Sequence, residues 1–259
     1  MEKLLVIDGT CVARTVYEAN PSEDSLDKVE GAFRSALSTM RRLVVTYKPT
    51  HLLAAFDSPG DTWRHLEYAS YKASRKPAPE ILSANWHLFL QGLTTMGLQG
   101  LAVEGLEAED IMATVAARWH AAQKGPIVAV SKDKDTVALT KLFGADVYHP
   151  FPSEDSGLMG NDWSLKKFGV PVEMVPDMLA LMGDTSDDIP GVPSIGLKTA
   201  AKLLLQYGNV DEILFCADEV PGKAGKALLE HAGLAILSKR LVSLKTDADF
   251  ELSWDTLKL

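Results

Sequence analysis

Apolar residues along this chain fall in short runs separated by longer stretches of mixed apolar and polar positions. The runs at 3–7, 52–56, 100–103, 127–131 and 145–149 have the length of buried strands. Residues 26–47, 79–96, 107–122, 134–141 and 162–168 read as the intervening helices. Such alternation predicts an α/β architecture, a mostly parallel sheet with helices on both faces. From about residue 171 no strong strand run follows. There 173–182, 197–206, 209–215, 223–231 and 233–243 read as helices. The change sets a boundary near Gly169-Val170-Pro171, giving segments 1–170 and 171–259. No repeat, low-complexity tract or long linker interrupts the pattern.

Several of the apolar runs end in acid. Leu4-Leu5-Val6-Ile7 leads into Asp8, Leu53-Ala54-Ala55-Phe56 into Asp57, and Ile127-Val128-Ala129-Val130-Ser131 to Asp133. Ligands of parallel α/β sheets gather at the carboxyl ends of strands, so these aspartates can converge. Further acids form three clusters: Glu107, Glu109 and Asp110; Asp133 and Asp135; Asp184 and Asp187. Each cluster alone has a plainer explanation. Acids in a first helical turn stabilise the helix dipole by about 0.3–1 kcal/mol each. Asp133 could be a helix cap, and Asp184-Thr185-Ser186-Asp187-Asp188 a capped turn. Their joint occurrence favours a metal site. Carboxylates that converge repel one another and need cations, and hard oxygen donors select Mg²⁺ or Mn²⁺.

Charge alone points elsewhere. The chain of 259 residues has a formal net charge of −9, which suits an acidic enzyme with a small-molecule substrate better than a nucleic-acid binder. Setting aside the nine suspected metal-site acids leaves no net charge, which weakens that objection. No apolar run approaches the ~18 residues of a membrane span, and Met1-Glu2-Lys3-Leu4 does not open a signal peptide. Cys11 and Cys216 lie far apart, and reduced cytosolic thiols are the better expectation.

Two stretches carry further chemistry. Tyr71-Lys72-Ala73-Ser74-Arg75-Lys76-Pro77-Ala78-Pro79 is basic and proline-containing. It reads as a solvated loop, or as a gate that meets a polyanion. Gly191-Val192-Pro193-Ser194-Ile195-Gly196-Leu197-Lys198-Thr199 resembles a phosphate loop, but Leu197 separates Gly196 from Lys198 where a Walker A loop has Gly-Lys. A helix–hairpin–helix fits better. Its glycines let the backbone approach a phosphate, the following helix points its N-terminus there, and Lys198 adds charge.

Together these segments resemble the bacterial and phage 5′ nucleases, or flap endonucleases, which include the nuclease domain of DNA polymerase I and the exonuclease IX group. The resemblance covers nearly the whole chain. It rests on Val6-Ile7-Asp8-Gly9, Phe56-Asp57, Trp63-Arg64, Tyr71-Lys72 with Arg75, Glu104-Gly105-Leu106-Glu107-Ala108-Glu109-Asp110 and Ser131-Lys132-Asp133-Lys134-Asp135. It continues through Ala180-Leu181-Met182-Gly183-Asp184-Thr185-Ser186-Asp187-Asp188-Ile189-Pro190-Gly191-Val192-Pro193 and Leu244-Lys245-Thr246-Asp247. It implies a PIN-like core with a helical arch and a C-terminal all-α helix–hairpin–helix domain. It also implies two or more Mg²⁺ or Mn²⁺ ions. Asp8, Asp57, Glu107, Glu109 and Asp110 would hold one, and Asp133, Asp135, Asp184 and Asp187 the second. Lys72 and Arg75 would contact the scissile phosphate. K⁺ would bind carbonyls of Leu181, Met182, Pro190, Val192 and Ile195. DNA would meet Tyr71, Ser194, Ile195, Gly196, Leu197, Lys198 and Thr199.

Two positions depart from the bacterial pattern: Glu109 stands for the usual Asp, and Ser194 for a usual glycine. The expectation is a monomeric, cytoplasmic bacterial nuclease that cuts 5′-flap or branched DNA with no membrane partner. The helical end and compact size suggest a standalone chain. Three alternatives stay open: a PIN-type ribonuclease, a non-catalytic DNA-junction binder, and a nucleotide-dependent enzyme.

Overall fold

A computed structural model describes residues 1–151 and 157–259. In chain order the elements are β1 (Leu4–Asp8), α1 (Gly9–Ala19), α2 (Leu26–Tyr47), β2 (His51–Phe56), α3 (Trp63–Glu67), α4 (Glu80–Ala84), α5 (Trp86–Thr95), β3 (Gln99–Ala102), α6 (Ala108–Ala121), β4 (Ile127–Val130), α7 (Ala138–Phe143), β5 (Asp146–His149) and β6 (Gly157–Leu158). Then come α8 (Asn161–Phe168), α9 (Val175–Met182), α10 (Leu197–Tyr207), α11 (Val210–Phe215), α12 (Gly222–Glu230), α13 (Ala232–Val242) and α14 (Trp254–Leu257). The chain forms two compact units that are not consecutive in sequence. One comprises Met1–Thr62, Lys76–Leu158 and Lys245–Leu259, the other Trp63–Arg75 and Met159–Leu244. Two stretches thus lie outside the simple division at residue 170: the one carrying Lys72 and Arg75, and the last fifteen residues.

The first unit is built on a six-stranded sheet of order β3-β2-β1-β4-β5-β6. All neighbours are parallel except β6, which pairs antiparallel to β5. Every residue of β1, β2 and β4 is buried, which is why these strands read as unbroken apolar runs. Leu5, Ile7, Leu52, Ala54, Phe56, Val128 and Val130 share one core with Val12 and Tyr17 of α1, Phe33 and Met40 of α2 and Phe89 of α5. There Phe33 stacks on Phe89 at a ring separation of 5.1 Å. The alternate strand residues face the other way, and α6 packs against β1 and β2. The C-terminal stretch returns to this unit. Arg118 donates to the carbonyls of Ala248 and Phe250, both at 2.8 Å.

In the second unit α9 packs against α10, α11 and α13. Arg64 on α3 is fully buried there, its Nε donating to the Leu241 carbonyl at 2.8 Å and its Nη2 to that of Ser243 at 3.2 Å. It satisfies carbonyls at the end of α13 that the helix itself leaves open.

The structure differs from the sequence expectation in several elements. The helix α1 was not foreseen; Asp8 caps it by accepting the Cys11 N–H. The expected helix 79–96 is two helices meeting at Asn85, whose Nδ2 donates to the Ile81 carbonyl at 2.8 Å. Asparagine competes for backbone partners in this way and favours a break. The expected helix 134–141 begins as a 3₁₀ turn, Lys134–Val137, and runs on through α7 to Phe143.

Candidate active site

Because β2, β1 and β4 are adjacent and parallel, their carboxyl ends lie side by side. Asp8 closes β1, Asp57 follows β2, and Ser131 and Asp133 follow β4. A hydrogen-bonded web fixes them. One Asp8 oxygen accepts the Cys11 N–H at 2.8 Å, and the other accepts the Ser131 hydroxyl at 3.0 Å. The Ser131 hydroxyl oxygen also accepts the Asp133 N–H at 3.0 Å, and Asp133 accepts the Asp135 N–H at 3.1 Å. The Asp57 N–H donates to the Thr10 hydroxyl oxygen at 2.9 Å, while its carboxylate accepts the Ala108 N–H at 2.9 Å. That last bond ties the end of β2 to the start of α6.

The first turn of α6 presents Glu107, Glu109 and Asp110, all buried. Asp110 accepts the Lys245 N–H at 2.9 Å and the Glu107 N–H at 3.4 Å. It therefore also anchors the C-terminal stretch, whatever else it binds. Asp135 is buried as well.

The electrostatics suit a cation. Burial and the nearby Asp57 charge push the Asp8 carboxyl up to about 7 from an ordinary 3.8, although the Cys11 N–H and Ser131 hydroxyl oppose the shift and Asp133 adds to it. A carboxyl destabilised by like charges and burial is stabilised again by a bound positive ion. Among the described residues no three acidic, histidine or cysteine side chains form a ready-made cage around one point. Mg²⁺ does not require one: it is commonly held by one or two carboxylates and keeps several waters. The all-oxygen donor set fits Mg²⁺ or Mn²⁺.

Asp184 and Asp187 belong to the second unit, on the loop after α9. The loop closes on itself, Asp184 and Ile189 exchanging both N–H bonds at 2.9 Å. Asp184 also accepts the Ser186 N–H at 3.0 Å and the Ser186 hydroxyl at 2.7 Å. Asp187 is buried and meets the 71–75 turn. Lys72 Nζ lies 3.7 Å from one of its carboxylate oxygens, and the Arg75 guanidinium pairs with the other. The Tyr71 side chain is buried. Its ring lies under the Lys72 ammonium at 4.8 Å, and its hydroxyl reaches Asp187 at 3.4 Å.

The hairpin expected to grip DNA is also in the second unit. Gly183 and Gly191 have positive φ, and a Cβ on Gly191 would come within 2.3 Å of the Gly183 nitrogen, so only glycine fits. The Val192 N–H donates to the Leu181 carbonyl at 2.7 Å and the Ile195 N–H to the Val192 carbonyl at 3.0 Å. These two of the five carbonyls expected around K⁺ retain a second lone pair each. Met182 ends α9, and Pro190 and Ile195 lie on the stretch between α9 and α10. Ser194, Gly196, Leu197 and Lys198 are exposed at the start of α10, while the Ile195 side chain is buried. Ser194 sits at φ 68°, a left-handed conformation that glycine adopts without cost.

Thr10, Ser131 and Ser74 escaped sequence analysis as site residues. Thr10 stands two residues from Asp8 and Ser131 two from Asp133, short spacings that could mark both, whereas Ser74 meets Asp188 across 114 positions.

Comparison with known proteins gives the family of the chain. A family model described as "5'-3' exonuclease, N-terminal resolvase-like domain" matches residues 3–169, and one described as "5'-3' exonuclease, C-terminal SAM fold" matches 170–259. DNA polymerase I of Bacillus caldotenax is 35% identical over 99% of this chain but only 29% of its own length. The chain thus spans less than a third of that polymerase. A 5'-3' exonuclease of Aquifex aeolicus (strain VF5) is 34% identical, covering 100% of this chain and 87% of its own. Among solved structures, the T5 5'-exonuclease with bound divalent metal ions (zinc) matches with TM-score 0.73 at 22% identity, over 95% of this chain and 90% of that one. The catalytic core of Rad2 in complex with DNA substrate matches with TM-score 0.57 at 14% identity, over 98% and 83%. The two solved structures share the fold; the family-model matches and the Aquifex relative establish that this chain belongs to the 5'-3' exonuclease family.

Proposed function

We propose that the protein is a metal-dependent 5′ nuclease that hydrolyses phosphodiester bonds of 5′-flap or branched DNA. The observation that carries this reading is the set of aspartates at three adjacent parallel strand ends, with the Asp8 carboxyl raised by burial and by its acidic neighbours. Asp8, Asp57, Glu107, Glu109, Asp110, Asp133 and Asp135 would hold divalent ions, with Asp184 and Asp187 assigned to the second of them. When bound, Mg²⁺ or Mn²⁺ supplies Lewis acidity that activates water and offsets charge developing on the phosphate. Ser131 and Thr10 hold the strand-end acids in place. Lys72 and Arg75 donate to the non-bridging phosphate oxygens as negative charge grows there. Gly196, Lys198 and Thr199 would hold the duplex backbone, with K⁺ ordering the hairpin before them. The product carries a 5′-phosphate.

The test is a panel of 5′-labelled substrates: flap DNA, single-stranded DNA and an RNA flap, each with Mg²⁺ and with EDTA. Incision of flap DNA in Mg²⁺ alone supports the proposal. Preference for RNA would favour a PIN-type ribonuclease, and tight flap binding without incision a junction binder.

A further inference from the structure

The residues 71–75 and 186–188 interlock through more than their charged groups. The Lys72 N–H donates to the Asp187 carbonyl at 2.9 Å, and Arg75 Nε donates to the Ser186 carbonyl at 2.9 Å. Asp188 adds a two-point clasp. One of its carboxylate oxygens accepts the Ser74 N–H at 2.8 Å, and the other accepts the Ser74 hydroxyl at 2.9 Å. Lys72 and Asp188 both hold left-handed backbone conformations, at φ 53° and 55°. Such conformations persist in residues other than glycine only where the surroundings fix them. Lys72 and Arg75 are long, flexible side chains, so their reach is set by the turn that carries them.

We propose that Asp188 is a positioning residue and not a metal ligand: through Ser74 it pins the 71–75 turn and so sets where Lys72 and Arg75 meet the phosphate. This inference rests on the nuclease reading. Both carboxylate oxygens are already engaged by Ser74, and this pattern needs acceptor geometry rather than negative charge. Asparagine can reproduce it. Its carbonyl oxygen accepts the Ser74 N–H while its amide donates to the Ser74 hydroxyl.

The experiment compares Asp188→Ala and Asp188→Asn with the wild-type chain. Three quantities are read: single-turnover flap cleavage in Mg²⁺, Mn²⁺ affinity without DNA, and trypsin cleavage after Lys72 and Arg75 followed by mass spectrometry. Asp188→Ala is expected to slow cleavage by about tenfold or more, since small misplacement of a reacting group is costly. It should also expose the turn to trypsin while leaving Mn²⁺ affinity unchanged. Asp188→Asn is expected to restore most of the rate and the trypsin resistance. An unchanged rate in Asp188→Ala, an Asp188→Asn variant as slow as Asp188→Ala, or lowered Mn²⁺ affinity in either would overturn the proposal. If the wild-type chain fails to cut flaps, the nuclease reading fails instead. The trypsin pattern then still decides whether Asp188 pins the turn.

Discussion

Lys72 and Asp187 are joined twice: the lysine ammonium lies 3.7 Å from the carboxylate, and the Lys72 N–H donates to the Asp187 carbonyl at 2.9 Å. One contact is ionic and exchangeable. The other is a backbone bond that holds the lysine's main chain whatever its side chain does. The Lys72 ammonium is thereby held against a carboxylate and presented from a fixed backbone.

Lys72→Ala should therefore lower the single-turnover cleavage rate by about 10²-fold, the scale of losing one donor to a transition-state oxygen. Flap affinity should fall much less, because other phosphate contacts position the DNA. Quench-flow kinetics beside anisotropy in Ca²⁺ separates the two. A pure affinity loss would make Lys72 a docking residue only.

Asp184→Ala combined with Asp187→Ala should abolish cleavage and leave DNA binding intact or tighter. Loss of two acids reduces repulsion of phosphate while it removes the proposed metal grip. It also frees Lys72 and Arg75 from their carboxylate partner. Full cleavage by the double variant would remove both acids from the mechanism.

Asp8 gives a pH dependence with a definite sign. Its folded-state value of about 7 lies above the ordinary 3.8, so between those values the folded protein keeps a proton that the unfolded chain has lost. Its contribution to stability is full below the lower value and is lost as pH rises through about 7. A divalent ion at Asp8 competes with that proton. The rise in Tm produced by a fixed Mn²⁺ concentration should accordingly be larger at pH 8 than at pH 6. Scanning calorimetry checks this, and an equal rise at both values would place the ion away from Asp8.

Ser194 at φ 68° predicts that Ser194→Gly stabilises the protein by up to about 1 kcal/mol, the relief of left-handed strain less the greater freedom of glycine when unfolded. If K⁺ orders this hairpin, flap affinity should be higher in KCl than in NaCl of equal ionic strength, and Ser194→Gly should keep that preference. Equal affinities in the two salts would remove the cation site while leaving the nuclease reading intact.

How far the sequence revealed this structure follows from what is local. The parallel strands β1, β2 and β4 were legible because burial on both faces makes them continuous apolar runs, and the acids at their ends are what the proposed metal site is built from. The helix α1 follows β1 with no intervening loop, and the one residue that signals its start, Asp8, is also the acid that ends the strand. The strand β6 is two residues long and leaves no periodic signal. Ser131 meets Asp8 across 123 positions, and Ser74 meets Asp188 across 114. No local pattern records such partners. The same holds for Trp63–Arg75, which leaves β2 yet packs within the second unit because Arg64 finds its carbonyl partners at the end of α13.

The most direct test follows release of the 5′-labelled strand from a flap under single turnover, in Mg²⁺ and in EDTA. An Asp57→Ala, Asp133→Ala double variant, purified in parallel, controls for contaminating nuclease. The account predicts incision by the wild-type chain in Mg²⁺, none in EDTA, and none by the variant although it still binds the flap. Binding without incision by the wild-type chain, or equal incision by the variant, would contradict it.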